Sequence, residues 1–172
     1  MIHVEADAGE DWDSRIGWAE LAREAAGSAV RHSELADLAD SGLTVEISVK
    51  FTSDAEVRAL NAGYRGKDKS TNVLSFPMIE PDLLASIASA DDGEVLLGDI
   101  VLAHDVCASE AAEKAVPVET HASHLVVHGT LHLLGYDHEE GDEEADAMEA
   151  VERAALAAIG IPDPYAVTEV QT

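Results

Sequence analysis

The chain has 172 residues, the size of one domain with a buried core, and its apolar fraction of 47% excludes a largely disordered protein. Its acidic N-terminal segment and the lack of an apolar run near the ~18 residues of a membrane span predict a cytoplasmic protein with no secretory signal or membrane anchor. A formal net charge of -25 argues against nucleic-acid binding unless positive charge is concentrated locally.

Two kinds of periodicity mark the first part of the chain. Residues 2–6 predict a short strand, and residues 14–30 carry apolar side chains at helical spacing, which predicts an amphipathic helix. From Leu43 to Phe51 apolar and polar residues alternate strictly, as in a strand that buries one face. These segments indicate scaffold rather than a site.

A helix with a defined start follows this strand. Ser53 and Glu56 have the spacing of a capping box, so we expect a helix from residue 54 to about 62 that ends at Gly63, with a loop after it. This region holds four of the ten basic residues within twelve positions: Arg58, Arg65, Lys67 and Lys69. We call these four the basic island, which is either a binding surface or simple charge compensation.

The middle of the chain predicts two more strands. Residues 73–76 predict a short strand that ends at Pro77, and residues 98–103 predict the next one. Between them, residues 78–94 contain Pro81 and repeated acids, which predicts an irregular surface segment.

Helices dominate the rest of the sequence. One is predicted from about Asp105 to Pro117, a second from Val118 to Leu134, and a last one over about residues 139–159. Gly135 suits the left-handed position that follows a helix. The chain, residues 1–172, is therefore predicted to be a single α+β domain in which helices cover a small mixed β-sheet.

The most informative segment is HGTLHLLGYDH, residues 128–138. His128 and His132 stand four apart on a predicted helix, where Cβ atoms lie about 5–6 Å apart, so both rings can reach one ion. Gly135 then turns the chain and lets His138 return to the same point. Three neutral imidazoles suit zinc and leave the fourth tetrahedral position for water. We predict one Zn²⁺ per chain and a hydrolytic reaction, because bound zinc lowers the pKa of water to about 7.

Two alternatives to a catalytic zinc site stay open. In the first, the histidines are surface or core residues without a metal. In the second, a closed structural site gains a fourth ligand, such as Asp137 or a carboxylate from residues 139–144.

His124 shares a helix face with His128 and His132 and competes with His138 as the third ligand. We assign it to the pocket wall, as a substrate-binding or supporting residue, because the chain reversal at Gly135 gives His138 the ligand role.

Metzincin proteases have the same histidine spacing, and in them the residue after the first histidine is a glutamate that acts as general base. Here that residue is Gly129. A metalloprotease would keep its metal but lack its proton carrier, so peptide hydrolysis is the weaker interpretation.

Two separated blocks resemble the YbeY family of bacterial endoribonucleases. The first is LNAGYRGKDKSTNVLSFP, residues 60–77, and the second is HGTLHLLGYDH, with LLGDIVLA at residues 96–103 between them. GIPDPY, residues 160–165, is also similar. The resemblance extends from about residue 43 onward, and Asn72 stands where many members carry Asp.

This resemblance implies a zinc-dependent, single-strand-specific endoribonuclease. It would act in ribosomal RNA processing, notably at the 3′ end of 16S RNA, and in quality control of the small ribosomal subunit. The implied zinc ligands are His128, His132 and His138, and Arg65 is implied as an active-site residue. The planar guanidinium of Arg65 would hold the scissile phosphate and stabilise charge on its oxygens, while Lys67 and Lys69 would bind the RNA backbone.

The implied partners are single-stranded ribosomal RNA, the small ribosomal subunit with its proteins, and an Era-type GTPase, with no membrane partner. Attack by zinc-activated water and attack by the RNA 2′-hydroxyl are both compatible with these ligands. Two other functions stay open: a non-catalytic ribosome-assembly factor with a structural zinc, and the metalloprotease.

Overall fold

A computed structural model describes residues 1–88, 92–137 and 141–165. The elements in these ranges are β1 (Ile2–Ala8), α1 (Trp18–His32), α2 (Asp37–Asp40), β2 (Thr44–Thr52), α3 (Asp54–Arg65), β3 (Val73–Pro77), α4 (Pro81–Ile87), β4 (Glu94–Ala103), α5 (His104–Glu113), α6 (Val118–Leu133) and α7 (Asp142–Ala158). The predicted α+β class is confirmed. No helix in the described ranges has the length and apolar composition to cross a membrane.

The strands form one mixed sheet in the order β1-β2-β4-β3. Strands β1 and β4 run parallel to β2, whereas β3 runs antiparallel to β4 at one edge. The alternation in β2 has the predicted effect, because Ile47 and Val49 are buried while Ser48 and Lys50 are exposed on the opposite face. One face of the sheet therefore supports the core.

Helix α6 is the centre of that core. Its surface is buried nearly all round, as expected for an apolar helix enclosed by other elements. It packs against β3 and β4 on one side and against α1, α5 and α7 on others. The histidines on α6 therefore have fixed positions relative to edge strand β3.

The end of α3 differs from the prediction. The helix continues past Gly63 to Arg65 and ends at Gly66, which adopts a left-handed conformation with φ of 68°. A helix tolerates a glycine such as Gly63 in its interior, and the residue that needs positive φ is the later one. Arg65 thus stands on the last turn of a helix and not in a loop.

Strand β4 begins at Glu94 and not at the predicted Gly98. Its pairing with β2 shifts between Glu46 and Ile47, which makes Leu97 an extra residue and creates a β-bulge. A Cβ atom at position 98 would lie 2.4 Å from the carbonyl oxygen of Phe76. Gly98 therefore marks the close approach of β3 and not the start of a strand.

Helix α4 lies within the predicted irregular segment, residues 78–94. Pro81 occupies its first turn, where a missing N–H costs nothing, and Leu84 is fully buried. The last helix begins at Asp142, three residues after the predicted start at residue 139.

An aromatic cluster fills another part of the core. Trp12 and Trp18 pack edge to face with ring centroids 4.9 Å apart, and the centroid of Phe51 lies 5.1 Å from each. The indole N–H of Trp12 donates to the carbonyl of Thr52, and that of Trp18 donates to the carbonyl of Asp13. Both rings are buried with their polar ends satisfied.

Candidate metal centre and active-site cleft

A cleft of about 630 Å³ opens between α3, β3 and the C-terminal end of α6. Its walls carry residues from each of these elements: Asn61 and Arg65 from α3, Val73, Ser75 and Pro77 from β3, and His128 and His132 from α6. Lys67 and Lys69, from the segment between α3 and β3, also line it. The predicted metal ligands on α6 and most of the basic island therefore meet in one cavity.

His128 and His132 bring their rings together on the α6 wall. Their Nε2 atoms lie 3.0 Å apart and their ring centroids 4.6 Å apart. Two nitrogens bound to one tetrahedral zinc at about 2.0–2.1 Å would be about 3.3 Å apart. A small adjustment would let both nitrogens share one ion.

Hydrogen bonds on the far side of each ring fix its orientation and favour the tautomer with the proton on Nδ1. His128 Nδ1 lies 2.7 Å from Glu152 Oε1, and His132 Nδ1 lies 2.9 Å from the carbonyl oxygen of Tyr136. A carboxylate and a carbonyl only accept, so each Nδ1 donates, and in a neutral ring this leaves the lone pair on Nε2, which faces the cleft. Metal-bound histidines are usually oriented in this way. The donor set fits a zinc ion.

Glu152 on α7 is the centre of a buried hydrogen-bonded cluster. It is 1% exposed, and its Oε2 accepts from His124 Nε2 at 2.9 Å and from the hydroxyl of Tyr165. Burial raises the pKa of Glu152, but the hydrogen bonds from His124 and His128 outweigh it and hold the pKa well below the usual range. Glu152 is therefore an ionised hydrogen-bond acceptor behind the α6 side of the cleft.

The third predicted ligand, His138, lies outside the described residues. Within residues 1–88, 92–137 and 141–165, no group of three or more His, Cys, Asp or Glu side chains is placed to hold a metal ion. The described part of the chain thus supplies two of the three predicted ligands, and Asp137, the alternative ligand, lines the cleft.

The basic side of the cleft faces these histidines. Arg65, Lys67 and Lys69 are exposed and line the cavity, whereas Asp137 is the single acid among the described lining residues. Arg58 does not line the cleft, because it forms a double hydrogen bond with Asp68 at 2.8 and 3.2 Å. Three of the four residues of the basic island therefore contribute positive charge to this cavity.

Most of the chain matches a known protein family. A family model described as Endoribonuclease YbeY matches residues 10–160. A protein of Rhizorhabdus wittichii named Endoribonuclease YbeY is 57% identical over 169 residues, which cover 98% of this chain and 99% of the relative. One of the same name from Sphingopyxis alaskensis is 54% identical over 166 residues, covering 96% and 98%. The chain belongs to the YbeY family.

A solved structure agrees with this YbeY fold. A Thermotoga maritima protein determined in solution superposes with a TM-score of 0.55 at 24% identity, over 92% of this chain and 91% of that one. The family resemblance predicted from residues 60–77 and 128–138 is confirmed.

Packing explains why this YbeY chain has Gly129 after the first histidine. A Cβ atom there would lie 2.9 Å from Ile100 Cγ2 and 3.0 Å from Ser75 Oγ, because α6 contacts the sheet at this point. The glutamate that serves metzincins as general base has no room at this position. The packing thus weakens the metalloprotease interpretation further.

His124, predicted to bind substrate, is buried behind His128 and is not among the residues that line the cleft. Its Nε2 is hydrogen-bonded to Glu152, so it is placed to hold the carboxylate that contacts His128 and not to contact substrate. Glu152 and Tyr165 were not predicted as site residues. Glu152 falls on the apolar face of α7, and Tyr165 lies in GIPDPY, for which the family resemblance implies no role.

A second series of hydrogen bonds begins at Asn72 in the cleft lining and leads away from the cleft. The Nδ2 of Asn72 donates to Glu110 Oε1 at 3.0 Å, and the same oxygen lies 2.8 Å from His121 Nε2. An amide suits position 72 here, because an aspartate would place a second carboxylate against Glu110. Burial lowers the pKa of His121, and the bond to Glu110 offsets this shift in part.

Proposed function

We propose that this chain is a zinc-dependent endoribonuclease specific for single-stranded RNA. It processes ribosomal RNA, including the 3′ end of 16S RNA, and takes part in quality control of the small ribosomal subunit in the cytoplasm. Membership of the endoribonuclease YbeY family supports RNA cleavage. The observation that carries the metal dependence is the 3.0 Å approach of the His128 and His132 Nε2 atoms in the cleft that Arg65 lines.

One zinc ion per chain would be held by His128, His132 and His138. When bound, zinc supplies a Lewis acid that lowers the pKa of water and polarises a phosphate oxygen. Glu152 and the carbonyl of Tyr136 hold the first two rings so that Nε2 faces the cleft. The protein thereby orients two ligands before any ion arrives, which reduces the cost of binding.

Arg65 would bind the scissile phosphate. Its guanidinium offers two parallel N–H donors to a phosphate, a geometry that lysine lacks, and it would stabilise charge that develops on the phosphate oxygens. Its position on the last turn of α3 directs it to the cleft.

Lys67 and Lys69 would attract the RNA backbone despite the net charge of -25. At physiological ionic strength, exposed charges more than about 8 Å apart are largely screened. A phosphate in the cleft therefore experiences the nearby cations more strongly than distant acids. The small ribosomal subunit with its proteins, and an Era-type GTPase, are the proposed partners that deliver the RNA.

The proposal is tested by measuring zinc content and cleavage together. Wild type and His132→Ala are purified free of other ribonucleases, zinc is quantified by mass spectrometry, and each protein is incubated with single-stranded ribosomal RNA fragments. We expect about one zinc per wild-type chain, and loss of both zinc and cleavage in the variant. His3→Ala, on β1 and away from the cleft, is the matched control.

Two results would contradict the proposal. Zinc without cleavage in the wild type would favour a non-catalytic assembly factor, and a wild type without zinc would remove the metal from the reaction.

A further inference from the structure

A second cavity adjoins the cleft. This aromatic groove, as we call it, has a volume of about 390 Å³ and includes Lys50, Glu56, Tyr64, Phe76, Met78 and Asp99 in its walls. A ridge made by the C-terminal half of α3 and by β3 separates it from the cleft. Tyr64 lines the groove and its neighbour Arg65 lines the cleft, while Phe76 lines the groove and its neighbours Ser75 and Pro77 line the cleft.

The groove displays aromatic and apolar surface to solvent. Tyr64 is 75% exposed, and its ring centroid lies 5.4 Å from that of Phe76 at an angle of 61°. Met78, in the same groove, is 54% exposed. A contiguous patch of this kind points to a binding partner, whereas single exposed apolar side chains are common and uninformative.

The groove also contains a carboxylate, that of Asp99, to which no side chain of the described residues donates a hydrogen bond. Asp99 is half-buried and has no hydrogen-bond or ion-pair partner among the described residues, whereas Glu56 is paired with Lys50. An ionised carboxylate only accepts hydrogen bonds, so it can bind N–H donors of a ligand and it repels phosphate. The chemistry that combines a flat ring with N–H donors at its edge is that of a nucleobase.

We propose that the aromatic groove is a base-binding subsite for the RNA strand held in the cleft. An unstacked base lies on the exposed face of the Tyr64 ring and turns its N–H edge toward Asp99. Guanine fits best, because its ring N–H stands beside its amino group and both can donate to one carboxylate. The inference rests on the proposed function, since it extends the RNA path from the cleft across the ridge.

The two cavities lie on either side of a single pair of neighbouring residues. Tyr64 and Arg65 are consecutive on the last turn of α3, and each lines one of the cavities, so a strand bound at Arg65 would pass beside Tyr64. Sequence-tolerant RNA-binding surfaces commonly combine a positive groove for the backbone with aromatic rings for the bases. The cleft and the aromatic groove provide these two parts side by side.

The test measures equilibrium binding of a single-stranded RNA to the full chain. The RNA carries a fluorescent label at its 5′ end, and its anisotropy is recorded during titrations at several salt concentrations. A denaturing gel after each titration checks that the RNA is intact. Tyr64→Ala should weaken binding roughly 5- to 150-fold, the usual effect of losing one stacked base, and Tyr64→Phe should bind like the wild type. Leu83→Ala is the matched control, since Leu83 is 54% exposed on α4, outside the groove.

Salt dependence separates stacking from charge. Stacking releases no counterions, so Tyr64→Ala should leave the slope of log Kd against log salt unchanged. Charge reversal at both Lys67 and Lys69 should flatten that slope.

Base identity gives a second readout. Replacing one guanine by inosine, which lacks the amino group, should weaken binding to the wild type and have no effect on Asp99→Asn.

Each contrary outcome has a distinct meaning. If Tyr64→Ala binds RNA as well as the wild type while the lysine variant is weakened, the subsite is wrong and the RNA proposal survives. If the wild type binds no RNA, both fail. If Tyr64→Ala retains RNA binding but loses binding to small ribosomal subunits, the groove serves a protein partner and the subsite is wrong.

Discussion

Glu152 Oε1 lies 2.7 Å from His128 Nδ1, although the two residues are 24 positions apart and stand on different helices. Through this contact α7 fixes the orientation of a side chain on α6. The hydroxyl of Tyr165 donates to the same carboxylate, and Arg153 lies 5.3 Å from the Tyr165 ring centroid. The segment after α7 therefore helps to hold the α6 side of the cleft in place.

Removing the charge of this carboxylate should weaken metal binding. We expect Glu152→Gln to reduce zinc affinity by about 10- to 100-fold, because an amide is a weaker acceptor and holds the imidazole less firmly. Affinity is measured by competition with a chelator of known strength, which is independent of catalysis. Glu143→Gln, exposed on the first turn of α7, should bind zinc like the wild type. Equal affinity in Glu152→Gln would show that the carboxylate does not orient the ligand.

Arg65 should matter for cleavage and not for zinc. We expect Arg65→Ala to lower kcat by roughly 10²- to 10³-fold with zinc content unchanged, because it removes donors that stabilise charge in the transition state. Single-turnover cleavage of a labelled RNA and mass spectrometry of the same preparation provide the two readouts. Arg58→Ala is the control, since Arg58 pairs with Asp68 outside the cleft. Normal cleavage by Arg65→Ala would exclude the guanidinium from the reaction.

Two glycines on helices should respond in opposite directions to alanine. At Gly129 the new Cβ would crowd Ile100 and Ser75, which costs about 1–3 kcal/mol and exceeds the gain of about 1 kcal/mol in helix propensity. At Gly63 nothing lies within 4 Å, so Gly63→Ala should stabilise the protein by about 0.5–1 kcal/mol. Urea denaturation measures both free energies of unfolding. A stabilising Gly129→Ala would show that α6 does not pack tightly on the sheet.

His121 should make the protein less stable in acid. Burial lowers the pKa of His121 below its ordinary value of 6.5, so below that pH the unfolded chain binds a proton that the folded chain resists. The free energy of unfolding should therefore fall as the pH drops from about 6.5 toward the folded pKa, and His121→Gln should flatten this decline. Denaturation at pH 7 and 5.5 with a chelator present removes the separate effect of pH on metal binding. His3→Gln serves as the control, and an unchanged decline in His121→Gln would assign it to other groups.

Local patterns in the sequence predicted what depends on local physics. The alternation in β2 and the spacing of His128 and His132 follow from the periods of a strand and a helix, and both appear in the structure as expected. The side chain of Ser53 also accepts the predicted capping bond from the backbone of Glu56. His138 lies outside the described residues and stays a prediction.

Tertiary packing determined what the sequence did not reveal. Glu152 lies four positions from both Met148 and Leu156, so the helical period places it on the buried face of α7, unlike Glu143 and Glu149. The partners of this buried carboxylate depend on how α7 packs against α6, which no local pattern encodes. The helix end at Gly66 and the bulge next to Gly98 were not predicted either. A glycine in the sequence does not show whether the backbone needs a positive φ there, whether another segment lies too close for a side chain, or whether neither applies.

Trp12 and Trp18 are the two tryptophans of the chain, and both are packed against Phe51, outside the walls of the cleft and of the aromatic groove. The fluorescence of the two indoles therefore reports on the folding of this cluster rather than on the occupancy of either cavity. The same sample can thus give a folding signal from the indoles and a binding signal from a labelled oligonucleotide.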